Sequence, residues 1–246
     1  MPGNENPLAL LIGPNTVAEN LQGAVNRGLI VANGDGSWSL PQRNGADNWA
    51  KVHCGPPMTC RFLRKFLFYG AYAQSAVPDG CRDCYKVKVS LKTVRQLVAA
   101  WSIGKRVECH SKWGVDLDNK YSQDIYAGYF YAVGLPMAKA IFRTVREAVD
   151  QDPKLGIGVA INIKRGCSDY EAALGRSDEY RFAPELKELE DYLKGRFREN
   201  KVNQEPSLPL MYWIEVAFRI GDDTYLNFTG GQRLRPKSVT YDPGEL

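Results

Sequence analysis

The sequence predicts an α+β protein built on a ferredoxin-like βαββαβ core spanning about residues 85–164. Three observations carry this reading. Tyr85 to Ser90 and Gly156 to Lys164 alternate apolar and polar residues with the period of a half-buried strand. Thr93 to Ile103 and the stretch opened by Pro136 repeat apolar residues at helical spacing. The segments follow one another as strand, helix, strand, strand, helix, strand, which is the order of the split βαβ unit.

The elements are justified in chain order. Asn15 stands where a residue can cap a helix over Thr16 to Asn26, with Val17, Leu21 and Val25 on one face. Leu29 to Val31 and Ser37 to Leu40 flank Asn33-Gly34-Asp35-Gly36, a strong hairpin signal, and together with the helix they form an N-terminal helix–hairpin element over residues 1–50. Residues 41–52 read as loop. Cys60 to Ala73 reads as a helix with Phe62, Phe66, Tyr69 and Ala73 on one flank and Arg61, Arg64 and Lys65 on the other.

Within the core, Val87 and Val89 alternate with Lys86 and Lys88. Val94, Leu97, Val98 and Trp101 share a helix face. Val107 to Val115 and Tyr126 to Val133 are the two middle strands. Ala138, Ile141, Phe142, Val145 and Val149 form the stripe of the second helix, and Ile157, Val159, Ile161 and Ile163 mark the last strand. Beyond the core come a polar loop (Arg165 to Ala183), a helix opened by Pro184, and a C-terminal hairpin of Met211 to Ile220 and Tyr225 to Phe228. Residues 51–230 are taken as one domain and 231–246 as a tail.

Composition narrows the function classes. With 44% hydrophobic and 24% charged residues the chain has the makeup of an ordinary globular protein, not a disordered one. No apolar run approaches the roughly 20 residues of a membrane span, and the N-terminus carries no basic leader region, so a cytoplasmic location is expected. Two histidines leave little room for His-rich metal catalysis or for a nucleophile–His–acid arrangement. The net charge of +4 is unevenly spread: residues 51–110 carry eleven basic against three acidic residues, and the same stretch holds five of the six cysteines. A basic block of this kind fits a polyanionic partner.

The spacing Cys54-x5-Cys60 followed by Cys81-x2-Cys84 points to a metal segment. Two sulfurs on a tight turn converge on one ion, and a chain outside the disulfide-forming compartments uses such a pair for metal more often than for cross-links. Cys54, Cys60, Cys81 and Cys84 are the candidate ligands. Zinc is the first expectation, with an iron–sulfur cluster, a redox dithiol and unliganded thiols as alternatives.

In a ferredoxin-like sheet one face packs on the helices. If Val87, Val89, Phe130, Ile161 and Ile163 point inward, then Lys86, Lys88, Tyr129, Tyr131, Asn162 and Lys164 stand on the opposite face. Lysines beside tyrosines suit single-stranded nucleic acid, whose bases stack on rings and whose phosphates meet ammonium groups. The run Ala127-Gly128-Tyr129-Phe130-Tyr131-Ala132 resembles the third-strand motif of RNA-recognition domains. It lacks that motif's leading basic residue and has Phe130 where a small residue is usual. The expectation is therefore a nucleic-acid-binding protein, with Arg61, Arg64, Lys65, Arg82, Lys86 and Lys88 toward phosphates and Tyr129 and Tyr131 toward bases. Two alternatives remain: an enzyme centred on Arg165 to Glu171, with His110 or Cys167 in chemistry, and a structural protein acting through protein partners or as a homo-oligomer.

Overall fold

The computed structural model describes residues 6–42, 48–54, 59–117, 124–199 and 209–236. The chain is a mixed α+β protein with three sheets among these residues.

A short antiparallel pair, β1 (Leu11–Ile12) and β2 (Asn15–Thr16), leads into helix α1 (Val17–Asn26). The cap is Thr16 rather than Asn15. The Thr16 hydroxyl accepts the Glu19 N–H, and the Glu19 carboxylate accepts the Thr16 N–H at 2.7 Å, a reciprocal box that satisfies two otherwise orphaned donors. The expected hairpin follows as β3 (Val31–Ala32) against β4 (Trp38–Ser39).

Strand β5 (Trp49–Val52) occupies part of the stretch read as loop. A π-helix (Arg61–Ala71) takes the place of the expected ordinary helix, and a 3-10 turn (Asp79–Cys81) precedes β6 (Cys84–Leu91). Next come α2 (Val94–Arg106), β7 (Ser111–Val115), β8 (Tyr126–Val133), α3 (Leu135–Asp150) and β9 (Ala160–Arg165). The polar loop then contains α4 (Ser168–Leu174), followed by α5 (Pro184–Arg196) and β10 (Phe197–Arg198), which pairs with β4 in parallel.

The C-terminal hairpin is not formed. Met211 to Ile220 lies within α6 (Pro209–Ile220), and Asp223–Phe228 is a 3-10 turn. The reason is burial. Trp213, Ile214, Val216 and Ala217 repeat at helical spacing and pack toward α2, so tertiary contact overrides the strand preference of this aromatic and β-branched run. Trp101 and Trp213 meet edge to face with ring centroids 5.4 Å apart. Residues 237–246 of the expected tail lie outside the described residues.

The main sheet is antiparallel throughout, in the order β5-β7-β8-β6-β9. Its inner face, with α2, α3 and α6, buries Val87, Val89, Phe130 and Trp113. Trp113 lies over Gly128 of β8 and against Gly104 of α2, its indole N–H bonded to Ser111 Oγ at 2.9 Å. A second apolar cluster joins α1 to the π-helix and α5, and a third gathers Phe68, Cys81 and Tyr170 beneath the Cys81-x2-Cys84 turn. Buried Glu190 of α5 fastens that turn, accepting the Asp79 N–H, the Gly80 N–H at 3.0 Å and the Tyr72 hydroxyl at 2.9 Å. The α6 helix also ties down the first strand of the sheet, because Trp213 Nε1 donates to the Asn48 carbonyl at 3.0 Å.

Candidate nucleic-acid interface

The pairing register fixes what stands on the sheet face opposite α2 and α3. Lys51 pairs with Lys112, Lys112 with Tyr129, Tyr129 with Lys88, and Lys88 with Asn162, so these five form one row across the sheet. In the next row Tyr131 pairs with Lys86 and Lys86 with Lys164. His110 extends that row, its carbonyl accepting the Tyr131 N–H at 2.9 Å. Continuing the β5–β7 pairing by one residue sets His53 beside His110, and their rings stand edge to face with centroids 6.0 Å apart. Alternation therefore collects lysines, tyrosines and both histidines on one side.

At the β5 end, Lys112 Nζ sits 4.0 Å from the Trp49 ring centroid and 5.0 Å from that of Tyr129. The two rings are 6.0 Å apart and tilted. Burial holds the Lys112 ammonium down to about 8, and the like charges of Lys86 and Arg64 add to the effect while Asp116 opposes it. Tyr129 donates its hydroxyl to Asp116 at 3.3 Å, and Lys88 pairs with Asp124 at 2.5 Å.

Toward β9 the face is roofed. Lys86 Nζ donates to Cys167 Sγ at 3.0 Å and lies 5.7 Å from the Tyr131 ring centroid. Burial opposes the Lys86 charge, but Cys167, Tyr131 and Cys84 outweigh it, and its pKa rises. Burial likewise raises the Tyr131 hydroxyl well above its ordinary value. Arg64 of the π-helix is ion-paired with Asp169 of α4, and Lys164 with Glu171. The Arg64 bond holds the Asp169 carboxyl below its usual range against the upward push of burial.

The expected site residues therefore divide. Lys86, Lys88, Tyr129 and Tyr131 share the sheet face, as alternation predicts, and Arg64 stands at its rim. Arg82 pairs with Asp79 at 2.5 Å and covers the Phe182 ring, Arg61 Nε lies 3.7 Å from Glu199, and exposed Lys65 rests on Tyr69. Arg61 and Arg82 are engaged away from the two sheet rows, and Lys65 shares the Tyr69 ring with Arg64. Trp49, Lys51 and Lys112 are additions to the predicted set. The alternation Trp49-Ala50-Lys51-Val52 is the signal that reveals the strand supplying the first two.

All six cysteines are free thiols. Cys81, Cys84 and Cys167 meet in one apolar cluster, where burial raises Cys84 to about 11 and Cys81 further still. Cys60 carries the field of Cys167 and of Lys86, and it too is raised by burial. Cys54 stands elsewhere. Its N–H donates to His110 Nδ1 at 3.2 Å, and its thiol adds to the burial that raises Cys109 to about 11. Among the described residues, no group of three or more His, Cys, Asp or Glu side chains is gathered closely enough to hold a metal ion. No described helix is long and apolar enough to cross a membrane. At the end of β9, Arg165 donates to the carbonyls of Ser177 and Arg82, so the charged groups of Arg165 to Glu171 are engaged in holding α4 and its surroundings.

No family model matches the chain, and neither a curated protein nor a solved structure matches it.

Proposed function

We propose that the protein binds single-stranded nucleic acid on the outer face of its five-stranded sheet. The observation that carries the reading is the lateral row Lys51, Lys112, Tyr129, Lys88 with Trp49 beside it, which sets ammonium groups and ring faces side by side. Bases stack on Trp49 and Tyr129 while phosphates meet Lys51, Lys112 and, at the rim, Arg64. Tyr131 and Lys86 form the roofed inner wall rather than a stacking platform. The reading takes the sheet as a ferredoxin-like core, supported by the element order β6-α2-β7-β8-α3-β9 and the neighbour order β9-β6-β8-β7. A cytoplasmic setting, in which thiols stay reduced, belongs to it as well.

The test is fluorescence anisotropy with labelled single-stranded oligonucleotides. Trp49→Ala and Tyr129→Ala are each expected to weaken binding by about 5- to 150-fold, the value of one stacked base at about 1–3 kcal/mol. Absence of binding at low salt, or unchanged affinity in the double variant, overturns the proposal.

The same reading includes a structural zinc ion on Cys60, Cys81 and Cys84, with Cys167 in the place the sequence assigns to Cys54. The shared cluster of Cys81, Cys84 and Cys167 favours this set, and closing it requires the thiols to turn inward and lose their protons. Elemental analysis of purified protein is expected to find about one zinc per chain. Absorption near 400 nm with bound iron would replace zinc by an iron–sulfur cluster, and absence of both would remove the metal.

A further inference from the structure

The main sheet ends on one side at β9, and the hydrogen-bond register decides which of that strand's groups look outward. The Gly166 N–H donates to the Cys84 carbonyl at 2.9 Å, and the pairing of Tyr85 with Arg165 runs on into this pair. Bonded and non-bonded pairs alternate along an antiparallel ladder. Ala160, Asn162 and Lys164 therefore bond to β6, while Ile161 and Ile163 turn their N–H and carbonyl groups outward. Among the described residues, no backbone bond reaches the outer side of Ile161 or Ile163. Sheet edges are ordinarily blunted by charge or proline. From Leu155 to Ile163 the chain has neither, and Ile157 stands exposed ahead of the strand. We infer that β9 pairs antiparallel with β9 of a second copy of this chain, about a two-fold axis at Asn162, joining two five-stranded sheets into one. This pairing is independent of the proposed nucleic-acid face.

Occupant and register both follow from the residues along the edge. With Asn162 opposite its own copy, Ile161 exchanges its outward backbone bonds with Ile163 of the second copy, and Ile163 with Ile161, a closed set around the axis. Lys164 then faces Ala160, and the two Lys164 residues stand four rows, about 14 Å, apart along the strands. An axis at Ile163 would bring them within two rows, about 7 Å, where like charges oppose pairing. An axis at Ile161 would call on the outward carbonyl of Val159, which already accepts Arg146 Nη1 at 2.6 Å. The side chains agree with the central register. Ile161 and Ile163 lie half-buried on the helix side, so the second copy prolongs the same apolar layer. Asn162 is exposed on the opposite face, and its amide both donates and accepts, so it can satisfy an identical amide across the axis. The other edge of the sheet, β5, carries Lys51 within its four residues and offers no such uncharged run.

Light scattering on the whole chain, free of nucleic acid and over a concentration series, is expected to reach twice the mass of one chain. Asn162→Cys sets two thiols at a non-bonded antiparallel pair, where Cα atoms lie about 4.5 Å apart. Mild oxidation is expected to link copy to copy there, as read on a non-reducing gel. Ala160→Cys, about 14 Å from its copy, is expected to stay unlinked. The unsubstituted chain, with its own six cysteines, sets the background. Asn162→Lys opposes two ammonium groups across the axis and is expected to shift the dimer to monomer. Its circular dichroism is expected to be unchanged, because Asn162 is exposed. A monomer at every concentration overturns the inference, whether or not oligonucleotides bind. A dimer that Asn162→Lys leaves intact, or one that Ala160→Cys links as readily as Asn162→Cys, overturns it too.

Discussion

Trp113 allows the packing of the sheet to be tested with a single methyl group. A Cβ added at Gly128 would lie 2.6 Å from Trp113 Cη2 and closer still to Cζ3 and Cε3. Ordinary carbon contacts are about 3.5–4.0 Å, so the ring or the strand must give by about 1.5 Å. The ring has no retreat, because a Cβ on Gly104 of α2 would sit 2.6 Å from its Cε2, and Phe130 meets it edge to face at 5.2 Å. Overpacking of a filled core costs about 1–3 kcal/mol, and displacing the indole from Ser111 adds about 1 kcal/mol. Replacing a strand glycine returns about 0.5–1 kcal/mol of chain entropy. Gly128→Ala is thus expected to destabilise by about 2 kcal/mol, a factor of about 30 in the folding equilibrium. Urea unfolding followed by circular dichroism measures it. Gly158→Ala, where a Cβ meets nothing within 4 Å, serves as the neutral control. In a Trp113→Ala background the penalty is expected to vanish. A Gly128→Ala protein as stable as the control, or an undiminished penalty without the indole, refutes the reasoning.

Two further predictions concern the supports of the face. Glu190→Ala leaves the Tyr72 hydroxyl and the Asp79 and Gly80 N–H groups without their acceptor; a loss of about 3 kcal/mol is expected in thermal unfolding, together with faster alkylation of Cys81 as its turn loosens. The Arg64–Asp169 pair sets a pH dependence: the folded Asp169 pKa is depressed, so its contribution is present above the unfolded value of about 3.9 and is lost as pH falls through the folded value. Arg64 is partly exposed, which holds the effect to about 1 kcal/mol, and Arg64→Met is expected to flatten the stability curve below pH 4.

The legible parts of the chain were those in which one side chain's fate is set by its neighbours in sequence. Alternation in Lys86 to Val89 and Tyr129 to Phe130 assigned the two faces of β6 and β8, because period-two burial is a local pattern. The stretch Met211 to Ile220, read as a hairpin strand, has residues that suit either element, and the presence of α2 beside it decides for a helix. β5 escaped for a different reason. Its four alternating residues are a short signal beside the loop-like composition around them, and the strand is held because β7 offers it an edge. The candidate site suffered accordingly: the tyrosines and two lysines were visible, while Trp49 and Lys51, and the meeting of His53 with His110, depend on a partner more than fifty residues away. Cysteine spacing likewise suggested Cys54 beside Cys60, but pairing along β5 carries Cys54 to the His110 end instead.

The bond from the Trp213 indole to the Asn48 carbonyl acquires a meaning from where β5 stands. That strand is laced to the sheet along one flank only, yet it delivers Trp49, Lys51 and His53. Its entry is moored across the thickness of the molecule by a helix on the far side. A C-terminal helix that packs on the opposite side of the sheet thereby fixes where the outermost strand of the lysine face begins.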